Sequence, residues 1–230
     1  GQIVMTTYPL IGNYGINDRD FESRKIQVSG FVVREHCALP SHADNTSTLD
    51  EFLRSQGIPG ISGVDTRAIT RRLRTQGVMM GMIAVDESPE SALARLADLP
   101  AYGDTDFVRQ VSTRNPYEWD ETAPRAGTRG DGRGQRILVS DYGLKYNILR
   151  ILRSKGCRVT AIPATASAHD ILAQGPDGVL LSPGPGDPEL LDYVVETARG
   201  LVERVPIMGI CLGNQILGRA FGGKTFKLKF

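Results

Sequence analysis

The apolar residues of this chain follow two different rhythms, and the second is the more regular. From residue 136 onward, short continuous apolar runs alternate with amphipathic stretches. Residues 137–140, 158–162, 178–182 and 205–210 read as strands of the fully buried kind. Residues 145–155, 168–173, 189–203 and 214–221 read as helices, the first with Ile148, Leu149, Ile151 and Leu152 on its apolar side. Residues 224–230 alternate basic and apolar positions, which suits a further strand. Repeated β–α units predict a mostly parallel sheet flanked by helices on both faces. Ligands on such sheets bind beyond the carboxyl ends of the strands.

The first part is less periodic and reads as a smaller mixed α/β domain spanning residues 1–111. Residues 2–7, 26–35 and 78–85 have strand character, and a loop rich in turn residues occupies positions 8–17. Three helices are expected: residues 48–56 behind a Thr48 cap, a second capped by Asp65 or Thr66 and running to about Gln76 before Gly77 closes it, and a third from Ser88 or Pro89 to residue 96. In the second helix Ile69 and Leu73 form the apolar face, while Arg67, Arg71, Arg72 and Arg74 crowd the rest. Such a cluster suits a solvated face or an electrostatic surface for a protein partner. Residues 112–135 contain Asn115-Pro116, Pro124 and a Gly/Arg-rich run from Gly127 to Gly134, and are expected to be an inter-domain linker. The second, β–α domain then occupies residues 136–230.

Composition narrows the function. Hydrophobic residues make up 40% and charged residues 23%, which suits a water-exposed globular protein, and the formal net charge of +1 gives no general pull toward nucleic acid or an acidic membrane. No apolar run is long enough to span a bilayer. The first residues show neither a basic leader nor a signal-like core, so a cytoplasmic location is expected; without an initial Met, residue 1 is not expected to be the native start. The three cysteines, Cys37, Cys157 and Cys211, have neither metal-ligand spacing nor a disulfide framework.

One cysteine sits where chemistry is done. In Ile207-Met208-Gly209-Ile210-Cys211-Leu212-Gly213-Asn214-Gln215 an apolar strand runs into a cysteine with a glycine two residues to either side, and a helix follows. A strand-to-helix elbow of this kind needs small neighbours, presents its nucleophile at the sheet edge, and places it at a helix N-terminus whose partial positive charge favours thiolate. The alternative is a buried structural cysteine. A second loop, Ser182-Pro183-Gly184-Pro185-Gly186-Asp187-Pro188, also follows a strand directly. Its prolines lack N–H groups, so the available backbone donors are those of Gly184 and Gly186.

Gly209-x-Cys211-x-Gly213-x-Gln215 together with that Pro/Gly loop resembles the class I, triad-type glutamine amidotransferases. Asp141-Tyr142-Gly143-x-Lys145-x-Asn147-Ile148 is similar to the segment that opens the glutaminase domain in the small-subunit family of carbamoyl phosphate synthetase. The stretches from Tyr8 to Asn17 and from Asp65 to Arg71 resemble that family's own first domain. Another class I amidotransferase, or a non-catalytic docking subunit, are the alternatives. The resemblance implies hydrolysis of glutamine, with Cys211 as nucleophile and the amides of Gly184 and Leu212 as the oxyanion hole. Gly184, Gly186, Leu212 and Gln215 would hold the substrate. Ammonia would pass to a large ATP-dependent subunit, the expected partner, which carries the ATP and magnesium; no cofactor or metal is expected in this chain. The family's acid–base pair is a His-x-Glu well downstream of the elbow, and the three histidines here, His36, His42 and His169, do not match it. The chain is therefore expected to be an internal fragment with negligible glutaminase turnover by itself.

Overall fold

A computed structural model describes residues 1–121 and 134–227, which fall into two compact units. The first comprises residues 1–101 together with Lys227. Its elements are β1 (Ile3–Met5), β2 (Leu10–Ile11), β3 (Gly30–Val32), β4 (Glu35–His36), α1 (Leu49–Ser55), β5 (Gly60–Ile61), α2 (Thr66–Gln76) and α3 (Pro89–Ala97). The parallel strands β1, β3 and β5 form one small sheet in the order β1-β3-β5, and β2 pairs with β4 in a second. Each helix starts on a side-chain cap. Thr48 and Glu51 form a reciprocal capping box on α1, Asp65 accepts from the amide of Ala68 at the start of α2, and Ser88 accepts from Ser91 on α3 with Pro89 in the first turn.

The strand expected over residues 78–85 does not form. These residues join no ladder among the described residues; instead Ile83 lies over β3, its Cδ1 2.7 Å from where a Cβ on Gly30 would stand. The apolar positions there serve to cover a sheet rather than to extend it. On α2, Thr66 is buried and Leu73 half-buried, whereas Arg67, Arg71, Arg72 and Arg74 are exposed and form no ion pair among the described residues.

The second unit runs from Tyr102 to Phe226. After a 3-10 turn at Tyr102–Asp104 come α4 (Phe107–Val111), β6 (Tyr117–Trp119), β7 (Arg136–Asp141), α5 (Tyr146–Ser154), β8 (Arg158–Pro163), α6 (Ala168–Ala173), β9 (Gly178–Leu181), α7 (Asp192–Leu201), β10 (Ile207–Gly209) and α8 (Leu212–Ala220). The sheet order is β10-β9-β7-β8-β6, parallel throughout except for the antiparallel edge strand β6. Because side chains alternate along a strand, each central strand feeds two cores. Leu138, Val179 and Leu181 point to the side where Ile171, Val194, Leu201 and Ile216 of α6, α7 and α8 close over them. Val139, Val159, Ala161 and Leu180 face the other way, against Leu149 of α5. At about 1.5–3 kcal/mol for each large apolar side chain buried, these two layers are the main source of the unit's stability. The α/β architecture expected of residues 136–230 is observed, with the helix expected at residues 189–203 divided: Asp187 caps a 3-10 turn at Pro188–Leu190 and α7 begins at Asp192.

The expected boundaries need correction. Residues 102–119 belong to the second unit, and the linker does not begin at residue 112. Ser112 and Thr113 are buried, and Tyr117–Trp119 pairs with residues 159–161 of β8. The segment is held by side-chain contacts that its composition hides: the Trp119 ring lies 4.7 Å from that of Tyr146, and the buried Arg150 guanidinium sits 5.7 Å from the Trp119 ring. Most of the Gly/Arg-rich stretch, residues 122–133, lies outside the described residues, as do residues 228–230 of the expected final strand; residues 224–227 are irregular.

Candidate active site

Three strands end side by side at the carboxyl edge, and their loops lean on one another in the order of the sheet. The turn from β10 to α8 carries Cys211. Its backbone is at φ 53° and ψ −112°, a conformation that costs a non-glycine residue of order 1–3 kcal/mol, and its side chain is exposed. The neighbouring glycines explain how the turn closes. A Cβ on Gly209 would stand 2.5 Å from the backbone of Gly213, and one on Gly213 would stand 2.1 Å from the carbonyl oxygen of Leu181. Any side chain at either position would force α8 away from the sheet. The amide of Ile210 donates to that Leu181 carbonyl at 3.0 Å, so the turn is stitched to β9 immediately before the cysteine.

The Pro/Gly loop follows β9 and lies against the elbow. A Cβ on Gly184 would be 2.7 Å from Cδ2 of Leu212 and 2.3 Å from the carbonyl oxygen of Tyr142. The loop is thus wedged between the first residue of α8 and the loop after β7. Leu212 is buried, which fixes the first turn of the helix, whereas Gln215 is exposed one turn on from the cysteine, its amide bonded to the Cys211 carbonyl at 3.1 Å. Among the described residues, the amides of Gly184 and Leu212 donate to no protein acceptor. Gly186 has φ +94°.

The loop after β7 is the part that motif reading left without a physical role. Asp141 is buried, and its carboxylate accepts from the amides of Thr113 at 2.8 Å, Gly143 at 3.0 Å and Leu144 at 2.9 Å. The Ser182 hydroxyl accepts from the Tyr142 amide at 2.9 Å and donates to the Pro183 carbonyl at 2.8 Å, tying the two loops together. Burial pushes the Tyr142 phenol well above its usual range, so it stays neutral. Burial, reinforced by the nearby Asp106 carboxylate, pushes Tyr193 up to about 12. The signal that could have revealed this support was a buried-type strand ending in a carboxylate, with a glycine two residues on that needs a positive φ; Gly143 has φ +132°.

The sequence-based candidates are therefore brought together: Cys211 and Leu212 on the elbow, Gly184 against Leu212, Gly186 two residues on in the same loop, and Gln215 on the next helical turn. The histidines are not among them. His36 and His42 belong to the first unit; His169 is the second residue of α6, exposed, with Nδ1 3.5 Å from Asp170. Among the described residues no three His, Cys, Asp or Glu side chains are placed to hold a metal ion. No helix among them is long and apolar enough to cross a membrane.

The sequence comparisons give the class of this unit: residues 138–230 match the family model "Glutamine amidotransferase class-I". Residues 1–83 match "Carbamoyl-phosphate synthase small chain, CPSase domain", and the chain belongs to the carbamoyl phosphate synthase small-chain family. Curated relatives called "Carbamoyl phosphate synthase small chain" are 46% identical in Syntrophotalea carbinolica, 46% in Bacillus caldolyticus and 47% in Methanopyrus kandleri, aligned over 100% of this chain. The chain spans 62%, 60% and 62% of those relatives' lengths, respectively.

Proposed function

We propose that this chain carries the nucleophile half of a glutaminase that supplies ammonia to carbamoyl phosphate synthesis. The observation that carries the reading is the exposed Cys211 thiol at positive φ on the β10–α8 turn, beside two backbone amides, of Gly184 and Leu212, that have no protein acceptor. In the proposed chemistry the thiolate attacks the side-chain carbonyl carbon of glutamine, and the carbonyl oxygen gathers negative charge where those amides can meet it. Donors of this kind are each worth about a hundredfold or more in rate. The carbon–nitrogen bond breaks, ammonia leaves with a proton from the acid, and a γ-glutamyl thioester remains. Water then cleaves the thioester to glutamate and regenerates the thiol. Gly186 and Gln215 are assigned to holding the substrate. The proton transfers are assigned to a His-x-Glu pair downstream of the elbow, as the family resemblance implies, and not to His169.

The ammonia would be used by a large ATP-dependent chain, where the ATP and magnesium chemistry belongs. The exposed arginines of α2 supply a surface for an acidic face of that partner: Arg67, Arg71 and Arg74 lie within one arc of the helix, at like-charge spacings that weaken a helix standing alone. The test is ammonia release from glutamine by the full-length protein. Cys211→Ser should abolish release while leaving thermal unfolding within a few degrees of the parent. Unchanged turnover in that variant would refute the assignment.

A further inference from the structure

The two family matches leave residues 84–137 uncovered, yet part of that stretch is built into the site. Phe107, the first residue of α4, lies against the Pro/Gly loop: a Cβ on Gly186 would be 3.5 Å from its ring Cδ2 and 3.8 Å from its Cβ. The remainder of the segment is fastened to neighbouring elements. Asp106 caps α4 by accepting from the Arg109 amide and also pairs with the Arg109 guanidinium at 3.1 Å. That guanidinium stacks on the Tyr193 ring of α7, 4.4 Å from its centre. Val108 is fully buried, and Val111 Cγ2 is 3.4 Å from where a Cβ on Gly143 would stand. The Ser112 hydroxyl accepts from the Ala164 amide at 2.9 Å, just past β8, and the Thr113 amide donates to Asp141.

We infer that Phe107 is a positioning residue for glutamine binding, acting through Gly186. Gly186 has no side chain with which to lock its own backbone, and its positive φ is one that glycine leaves as readily as it enters. A loop of this kind keeps one amide direction only if something rigid leans on it. Phe107 supplies that pressure from a segment anchored to the ends of β7 and β8 and to α7. The aromatic ring acts on the loop, not on the reacting atoms, so its loss should blunt recognition of a glutamine-shaped ligand without changing the thiol's access to solvent. This inference rests on the glutaminase reading of Cys211.

The experiment uses the full-length protein and two electrophiles that alkylate Cys211. One is the chloroketone analogue of glutamine, from which the thiolate displaces chloride as a carbon–sulfur bond forms; the other is iodoacetamide, which needs no binding pocket. Phe107→Ala should slow the chloroketone reaction about tenfold, in keeping with what small misplacements cost a bound geometry, and leave the iodoacetamide rate within about twofold. Phe107→Leu, which keeps an apolar buttress, should recover most of the loss and covers the case in which the alanine variant folds poorly. Val111→Ala removes packing from the same segment without touching Gly186, and should leave the ratio of the two rates at the parent value. Equal slowing of both reactions by Phe107→Ala, or no slowing of either, would overturn the inference. A parent protein with no preference for the chloroketone would overturn the glutaminase reading itself.

Discussion

Two glycines five residues apart on α8, Gly213 and Gly218, should respond in opposite directions to the same added methyl group. A Cβ at Gly213 would stand 2.1 Å from the Leu181 carbonyl oxygen, 2.6 Å from its carbon and 2.8 Å from the Leu181 Cβ, against an ordinary contact of 3.4–4 Å. Leu181 is in the buried strand β9 and cannot yield freely, and its carbonyl also accepts from the Ile210 amide. Relief therefore requires displacing α8, with overpacking strain of about 1–3 kcal/mol and a weakened hydrogen bond of about 1 kcal/mol, against about 1 kcal/mol gained in helix propensity. Gly213→Ala should thus lose about 2 kcal/mol. At Gly218 a Cβ meets nothing within 4 Å, so Gly218→Ala keeps only the propensity gain, about 1 kcal/mol. Urea unfolding followed by tryptophan fluorescence reads this cleanly, because Trp119 is the chain's one tryptophan and lies in β6 of the same unit. For a slope of about 2 kcal/mol/M, the midpoint should fall by about 1 M in Gly213→Ala and rise by about 0.5 M in Gly218→Ala. Shifts of the same sign, or an unmoved midpoint in Gly213→Ala, would refute the packing argument.

Further outcomes are expected elsewhere. Asp141→Asn replaces a carboxylate that accepts from three amides, and should cost the second unit about 2–3 kcal/mol in thermal or urea unfolding. Tyr193 ionises in the folded protein only near pH 12, while in the unfolded chain its phenol ionises from about pH 10; its contribution is complete below pH 10 and is lost as the pH climbs through 12. Tyr193→Phe should therefore flatten the loss of stability over that window, measured by urea midpoints at successive pH values. Limiting iodoacetamide should modify the exposed Cys211 before the partly buried Cys37 and Cys157, as peptide mass mapping would show. Reversing Arg67, Arg71 and Arg74 to glutamate should weaken association with the proposed large partner chain about tenfold at low salt, with the difference shrinking at high salt; equal affinities would exclude that surface.

Legibility in the sequence followed how local each cause is. The β–α alternation after residue 136, the cap at Thr48 and, to within one residue, the helix starts at Asp65 or Thr66 and at Ser88 or Pro89 depend on neighbours within a few positions, and were readable. The elbow was readable because Gly209 and Gly213 are required by contacts that lie close together in the chain, or against the strand beside it. Residues 102–119 were not, since their structure comes from distant partners. Ser112 meets Ala164, Thr113 meets Asp141, and Trp119 meets Tyr146, while Asn115-Pro116 and exposed polar positions give the segment the composition of a linker. Residues 78–85 failed for the opposite reason. Their apolar character is real, but Ile83 spends it on covering Gly30, and a strand pattern alone does not specify a neighbour to pair with.

The wedge of Gly184 between Tyr142 and Leu212 has a consequence for how such a pocket can change over time. One wall is main chain, the carbonyl of Tyr142; the other is the Leu212 side chain, and between them there is no room for a Cβ on the glycine. On the Tyr142 side, shape is written in bond geometry that every amino acid shares, so drift in side-chain identity has little to act upon there. Variation is free to accumulate around the pocket but meets a hard stop at a single carbon atom within it.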